Sequence, residues 1–169
     1  MYKYTLCFIQ RNDEILMLNR DKPPVLGLWN GVGGKVADGE TPTACILREI
    51  AEETGLHLTP VHIQDKGTVS WNTDNGTTGG MHLFTAVIAS DVPYSTPVRT
   101  LEGILDWKPI DWLLMDRNHG VGSMIPHYFR RMLQEKNGFH HRFTMENGSV
   151  CAYSYEEIPS REGTIFVQT

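Results

Sequence analysis

Three glutamates on one predicted helix have the spacing that most clearly points to chemistry. Glu49, Glu52 and Glu53 stand three and four positions apart, and at about 100° per residue they share about one third of the helix circumference. Like charges at this spacing destabilise an isolated helix, so a bound cation is the natural compensation. Oxygen ligands without thiolate or imidazole favour Mg²⁺ or Mn²⁺, and Mg²⁺ is typically shared with substrate phosphates.

The alternative interpretation is an ordinary solvated helix face, which is the commoner origin of an acidic stripe taken alone. However, Gly31, Gly33 and Gly34 precede the helix, and glycines let the backbone approach a ligand closely. Arg48 adjoins the glutamates, and a guanidinium can hold a carboxylate through two hydrogen bonds. A flexible turn and a surface ion pair would explain these residues one at a time. Together they favour a site for a phosphate-bearing substrate.

The elements that must position these residues follow from hydrophobic periodicity. The spacing predicts a helix over 41–54, ended by Gly55, with a packed face that consists of Ala44, Leu47, Ile50, Ala51 and Thr54. A second helix is predicted over 122–136, and Asp111 is expected to cap a helical turn. Aromatic and β-branched runs predict strands over 2–10, 14–18, 28–30, 61–71, 81–90, 104–110, 139–145 and 150–154, the first two and last two as hairpins.

Composition limits the class of protein. The 169 residues suit one domain, expected over 1–169, and 15 basic against 20 acidic residues give a net charge of −5. That charge offers no basic field, so we expect no nucleic-acid polymer as a partner. No apolar run is long enough for a signal peptide or membrane span. The three widely spaced cysteines, Cys7, Cys45 and Cys151, are predicted to be reduced thiols. Together these features lead us to expect a cytoplasmic protein without a membrane partner.

The helix and the residues before it resemble a known motif. The Nudix box is Gly-x5-Glu-x7-Arg-Glu-U-x-Glu-Glu-x-Gly-U, where U is a bulky aliphatic residue, and every defined position is filled here by Gly34, Glu40, Arg48, Glu49, Ile50, Glu52, Glu53, Gly55 and Leu56. The similarity extends to segments 4–6, 29–36 and 139–157, and to Glu102 five residues ahead of Trp107. These features resemble the MutT-like 8-oxo-dGTP diphosphatases of the Nudix hydrolase family.

The resemblance implies a fold and a set of metal ligands. The fold is α/β, an α/β/α sandwich around a mixed sheet, and the usual cofactor is Mg²⁺, for which Mn²⁺ can substitute. Carried onto this sequence, Glu49 and Glu53 ligate metal together with the carbonyl of Gly34. Glu52 ligates a second ion or orients water, and Arg48 holds a glutamate in place.

Two further acids enter through the resemblance with weaker roles. Glu40 matches the leading glutamate of the box and is expected to give electrostatic or structural support. Glu102 is a candidate extra metal ligand, with a solvated loop acid as an equal alternative. Among the family's candidate general bases, Glu49 is the one favoured by the MutT pattern.

Five residues are candidates for recognising the base. Asn30 resembles the asparagine that faces the purine in these enzymes, since an amide both donates and accepts. Trp71 offers a stacking face and Thr5 a hydroxyl, although a turn amide, a core aromatic and a strand hydroxyl are the ordinary alternatives. Animal enzymes place two aspartates ahead of the second helix, whereas this chain has Asp116 and Asn118 as the nearest substitutes.

The expected reaction is hydrolysis of nucleoside triphosphates, especially oxidised purine dNTPs such as 8-oxo-dGTP, to the monophosphate and pyrophosphate. ADP-ribose, dinucleoside polyphosphates or another nucleoside-diphosphate-linked substrate remain alternatives, as does a nucleotide-binding sensor without turnover. The expected partner is a small nucleotide, and the protein is expected to be a monomer or homodimer. The seven histidines are assigned no catalytic role.

Overall fold

A nine-stranded mixed sheet forms the centre of the computed structural model, which describes residues 2–159. Its strands are β1 (Tyr4–Arg11), β2 (Glu14–Arg20), β3 (Trp29–Asn30), β4 (Ile63–Thr73), β5 (Thr78–Val87), β6 (Val98–Arg99), β7 (Gly103–Pro109), β8 (Phe139–Glu146) and β9 (Ser149–Glu157). They run in the order β6-β7-β2-β1-β5-β4-β8-β9, and β3 pairs with β2. The β1–β5 and β4–β8 neighbours are parallel and the other pairs are antiparallel.

The central strand β1 is buried on both faces. Leu6 and Phe8 point into one hydrophobic core, while Cys7 and Ile9 point into the other, as the two-residue period of a strand requires. A sheet with two apolar faces needs a covering layer on each side. The helices supply both layers.

The helices are α1 (Pro42–Thr54), α2 (Ile110–Leu113) and α3 (Ile125–Gln134), with a single 3-10 turn at Pro60–His62. In α1, Ile46 and Ile50 pack into one core, while Tyr128 and Phe129 of α3 pack into the other. The predicted α/β/α sandwich with a mixed sheet is therefore confirmed. No helix within residues 2–159 is long and apolar enough to cross a bilayer.

The ends of α1 follow its sequence signals. The hydroxyl of Thr41 accepts a hydrogen bond from the backbone N–H of Ala44, which satisfies one of the free donors of the first turn. Gly55 ends the helix with φ 75°, in the left-handed region where glycine carries no steric penalty. These two caps hold the glutamate-bearing segment at fixed bounds.

The predicted packed face of α1 was wrong in part. The buried residues are Cys45, Ile46, Ile50 and Thr54, whereas Ala44 is exposed and Leu47 is only half-buried. The stripe that meets the sheet follows the i, i+4 row through Ile46 and Ile50, which turns the glutamates toward the protein. The half-buried Glu49 and Glu53 therefore border a cavity, and Glu52 also lines it but stays exposed to solvent.

Other boundaries differ for local reasons. The helix α3 begins at Ile125 rather than at residue 122, since Pro126 lies in its first turn, where proline is favoured. Asp111 lies inside the first turn of α2, and Pro109 occupies the N-cap position that Asp111 was expected to take. The strands β4 and β5 lie two to three residues nearer their turn than predicted, because the pairing continues past Trp71 and Gly79 to Asn72 and Thr78.

Candidate active site

A cavity of 910 Å³ lies beside the first residues of β1. One side is formed by the glutamates of α1 and by the loop before that helix. The other side is formed by residues 122–125 at the start of α3, and two hairpin ends add Trp71, Thr73, Asp74, Met145 and Gly148 to the lining. This volume is large enough for a small organic ligand such as a nucleotide.

Gly34 lies directly against the carboxylate of Glu49. A Cβ at position 34 would stand 2.4 Å from Cδ of Glu49, so only glycine leaves room for that carboxylate. The carbonyl of Gly34 accepts a hydrogen bond from the backbone N–H of Thr5 at 2.9 Å. A backbone oxygen and a carboxylate are thus brought together at the cavity wall.

Glu53 is an acid of the cavity wall whose surroundings disfavour its charged form. Its Oε2 accepts a hydrogen bond from the N–H of Gly33 at 3.0 Å, yet burial raises the pKa of Glu53 to about 7. The negative charges of Glu49 and Glu102 raise this pKa further, while the N–H of Gly33 and the cation of Arg20 lower it. Three carboxylates therefore crowd one region, which is an arrangement that a cation relieves.

Arg48 joins the glutamates of the box. Its Nε and Nη2 donate to the two oxygens of Glu40 at 2.9 and 3.0 Å, while Nη1 donates to Glu49 at 2.8 Å and to Glu52 at 3.1 Å. The guanidinium, assisted by the N–H of Ala37, lowers the pKa of Glu40 to about 2. Arg48 thus holds Glu40, Glu49 and Glu52 together, which makes it the positioning residue of the cluster.

The donor set suits a hard divalent cation. The groups are carboxylate and carbonyl oxygens, and no sulfur or imidazole lies among the predicted ligands. Within residues 2–159, no three His, Cys, Asp or Glu side chains stand close enough to form a ready-made cage. Instead Glu49, Glu52 and Glu53 each direct an oxygen to a protein donor. The fit to Mg²⁺ therefore rests on donor chemistry and on the buried carboxyl of Glu53, whose pKa burial and the charges of Glu49 and Glu102 raise.

Glu102 lines the cavity from the loop between β6 and β7. Its carboxylate accepts a hydrogen bond from Lys22 at 2.9 Å and lies 3.5 Å from Arg20. This acid is already paired with two cations, unlike Glu53. Arg20 and Lys35 also line the cavity. They were not predicted, because a basic residue at a strand end or in a loop carries no spacing signal.

Of the five candidates for base recognition, three line the cavity and two do not. Asn30 and Trp71 are half-buried in its wall, while the hydroxyl of Thr5 lies 3.3 Å from Sγ of Cys45 and 3.4 Å from the carbonyl of Gly34. Thr5 is thus buried and engaged within the protein.

Asp116 and Asn118 lie away from the cavity lining. Asp116 is exposed, and the amide of Asn118 is used on the backbone, donating to the carbonyl of Trp112 at 2.8 Å and accepting from the N–H of Gly120 at 2.9 Å. Ser123 and Met124, just before Ile125 of α3, line the cavity instead of these two residues.

Three methionines give the far part of the cavity its apolar character. Met81, Met124 and Met145 line it, and their flexible thioethers suit the irregular outline of a planar ligand. They come from β5, the start of α3 and β8, so no local pattern in the sequence could have grouped them.

The metal-free protein is expected to lose stability as the pH rises from about 5 to 8. The folded chain keeps a proton on Glu53 up to about pH 7, whereas the unfolded chain releases it near pH 4.3. The stability contribution is therefore complete below the unfolded pKa and is lost through the folded one, by about 1–3 kcal/mol. Urea unfolding in EDTA measures this, with Glu53→Gln as the control that removes the titration. An equal pH dependence in both proteins would contradict the assignment.

Comparison with known proteins agrees with this geometry. The NUDIX domain model matches residues 3–128. A Mus musculus protein named oxidized purine nucleoside triphosphate hydrolase is 27% identical over 158 residues, covering 93% of this chain and 96% of that protein. A putative 8-oxo-dGTP diphosphatase 2 of Mycobacterium tuberculosis is 44% identical over 59 residues, covering 34% of this chain and 42% of the relative.

Solved structures show the same fold. A MutT protein from Bacillus halodurans superimposes with a TM-score of 0.75 at 24% identity, covering 92% of this chain and 98% of that one. The NUDIX domain of NrtR from Shewanella oneidensis, solved with ADP ribose, gives a TM-score of 0.57 at 21% identity, over 77% of this chain and 85% of that one. The family model spans most of the chain and the box is complete, so this protein belongs to the Nudix hydrolase family as a MutT-like member.

Proposed function

We propose that this protein is a Mg²⁺-dependent nucleoside triphosphate pyrophosphohydrolase that acts on oxidised purine dNTPs such as 8-oxo-dGTP. The observation that carries the proposal is the junction of two unlike regions in one cavity, a crowded carboxylate cluster and an apolar pocket lined by Trp71 and methionines. A triphosphate suits the first region through a shared cation, and a flat base suits the second. The name of the Mus musculus relative supports the same substrate class.

The box residues receive the following roles. Glu49, Glu53 and the carbonyl of Gly34 hold the cation, and Glu52 holds a second ion or orients the attacking water. When bound, the cation neutralises phosphate oxygens and lowers the pKa of a water. Glu49 accepts a proton from the attacking water as the water oxygen bonds to phosphorus, and the anhydride bond between the α- and β-phosphates breaks to give the monophosphate and pyrophosphate. Arg48 and Glu40 keep Glu49 oriented.

Glu102 and its two cationic partners, Lys22 and Arg20, also have proposed roles at the substrate phosphates. Glu102 serves as an additional ligand once Lys22 and Arg20 turn to the substrate. Both cations lie within 3.5 Å of its carboxylate, so an incoming phosphate can replace the carboxylate as their partner. Mn²⁺ is expected to substitute for Mg²⁺, since both take oxygen donors.

Asn30→Ala is expected to lower kcat/KM for the preferred purine nucleotide by about 10- to 100-fold, mainly through KM. Removing an amide that pairs with the edge of a base leaves donors and acceptors of the ligand unsatisfied. Steady-state kinetics on the purified variant measure the effect. Asn72→Ala, at an exposed position of β4 outside the cavity, is the matched control. Equal kinetics in the two variants would contradict the role of Asn30.

The proposal is tested by comparing kcat/KM for 8-oxo-dGTP, dGTP, dATP, ADP-ribose and a dinucleoside polyphosphate in Mg²⁺, with product analysis. We expect 8-oxo-dGTP to lead and to yield 8-oxo-dGMP and pyrophosphate. Preference for ADP-ribose or a dinucleoside polyphosphate would overturn the substrate class. If the protein binds these nucleotides but hydrolyses none of them, it acts as a nucleotide-binding sensor and not as an enzyme.

We also propose that residues 1–169 form one domain that works in the cytoplasm as a monomer or homodimer, without a nucleic-acid or membrane partner. One sheet includes strands from both ends of the described chain, which supports a single folding unit. The three thiols are free, as a reducing compartment favours. Light scattering of the purified protein measures the oligomeric state.

A further inference from the structure

Gly79 lies beneath the indole of Trp71. The two residues face each other across the β4–β5 pair, and a Cβ at position 79 would stand 2.3 Å from Cζ2 and 2.8 Å from Nε1 of Trp71. Real Cβ atoms do not approach other heavy atoms so closely. The indole therefore lies across the space that a side chain at position 79 would fill.

Space, rather than backbone conformation, requires glycine at this position. Gly79 does not lie in the positive-φ region, whereas glycines of the turns such as Gly76 and Gly148 do. Its neighbours in β5 also hold the strand in place, since Met81 pairs with Tyr4 of β1 and Thr78 with Asn72 of β4. A methyl group at position 79 would thus displace the indole more readily than the strand.

We propose that Gly79 is a positioning residue, which lets the indole of Trp71 lie flat on the hairpin as the wall against which a planar aromatic base stacks. The inference rests on the proposed function, because it assumes a nucleotide in the cavity. Trp71 lines the cavity together with Met81, so moving the indole changes the pocket where the base is expected. The glutamate cluster lies on other elements and keeps its geometry.

This arrangement predicts a separation between binding and chemistry. Stacking of one base on an aromatic side chain strengthens binding by about tenfold or more, so loss of the flat wall should raise KM about tenfold. The turnover number should change less than about twofold, since Arg48 and the glutamates are untouched. A general loss of folding would lower kcat and the active fraction together.

The neighbouring glycine provides a matched control. Gly80 lies on the opposite face of the same hairpin, where a Cβ would stand 2.1 Å from the ring of Tyr2. Tyr2 stacks on His140 with ring centroids 6.1 Å apart, and neither residue lines the cavity. Gly80→Ala thus imposes the same chemical change on the same hairpin without disturbing Trp71.

The experiment is a double-mutant cycle of Gly79→Ala and Trp71→Ala, with Gly80→Ala as the control. Each protein is assayed for KM and kcat on 8-oxo-dGTP in Mg²⁺, and for binding of dGMP by calorimetry without turnover. We expect each single variant to raise KM about tenfold, the double variant to match Trp71→Ala, and Gly80→Ala to match the wild type. A measured melting temperature for every variant separates unfolding from displacement.

Failure of the positioning role and failure of the proposed function give different results. Wild-type KM in Gly79→Ala, or additive effects in the double variant, would overturn the positioning role. If Gly79→Ala does not fold, the melting temperature of the double variant decides, since removing the indole must restore folding. If the wild type neither binds dGMP nor hydrolyses any nucleotide, the proposed function fails. The part of the near-ultraviolet dichroism that Trp71→Ala removes then still shows whether Gly79→Ala, and not Gly80→Ala, displaces the indole.

Discussion

Glu53→Gln is expected to lower kcat by about a thousandfold or more while the protein remains folded. Glutamine keeps the size of the side chain and an oxygen that accepts the hydrogen bond from the N–H of Gly33. It removes the negative charge that a cation needs, and about 4 kcal/mol of lost transition-state stabilisation corresponds to that factor. Initial rates of pyrophosphate release at saturating 8-oxo-dGTP, with increasing Mg²⁺, measure the loss.

The control for this substitution is Glu146→Gln, at an exposed position of β8 outside the cavity. It removes the same charge from the protein and should leave kcat unchanged. The metal-free Glu53→Gln protein should also be at least as stable as the wild type at pH 8, because a buried carboxylate is no longer forced to ionise. Activity within tenfold of the wild type would exclude Glu53 from the metal site.

Arg48→Lys is expected to lower kcat by about 10- to 100-fold, although the positive charge is retained. A planar guanidinium donates to Glu40 through two nitrogens and at the same time to Glu49 and Glu52. An ammonium group cannot reach all three carboxylates in that geometry, and losing a group that orients a metal ligand typically costs this factor. Because the loss concerns orientation, KM for the nucleotide should change little while the Mg²⁺ requirement rises.

Arg130→Lys, on the exposed side of α3, is the control for this effect and should behave as the wild type. The pKa of Glu40 near 2 keeps its pair with Arg48 ionised at every pH used for assays. The difference between Arg48→Lys and the wild type should therefore persist from about pH 6 to 9. Equal kcat in Arg48→Lys and the wild type would show that a positive charge is enough to position Glu49 and that the planar guanidinium is not needed.

The fold and the acidic cluster were predictable because their signals are local. The helix over 41–54 combines an apolar period with two caps, and the box residues lie within 23 positions of one another. Helix α1 therefore delivers Glu49 and Glu53 to one place whatever the distant chain does. Local periodicity did not show which apolar residues meet the sheet, since that depends on the sheet's position beneath Ile46 and Ile50.

The base side of the cavity depends on distant strand pairing. Met145 and Trp71 meet because β8 lies parallel to β4, and a parallel pairing across so many residues leaves no pattern in the sequence. At Asp116 and Asn118 the prediction failed in the opposite way, because a role in the site was expected that the structure does not support. The resemblance suggested base recognition there, but the amide of Asn118 is used to fold its own loop. Gly79 was overlooked because its role is the absence of a side chain.

The most direct test of the central claim is anomalous diffraction from crystals of the protein grown with Mn²⁺ and a non-hydrolysable analogue of 8-oxo-dGTP. We expect a manganese peak coordinated by the carbonyl of Gly34, by Glu49 and Glu53, and by phosphate oxygens of the analogue, with the base against Trp71. A nucleotide bound elsewhere, or a cavity with nucleotide and no manganese at these oxygens, would contradict it.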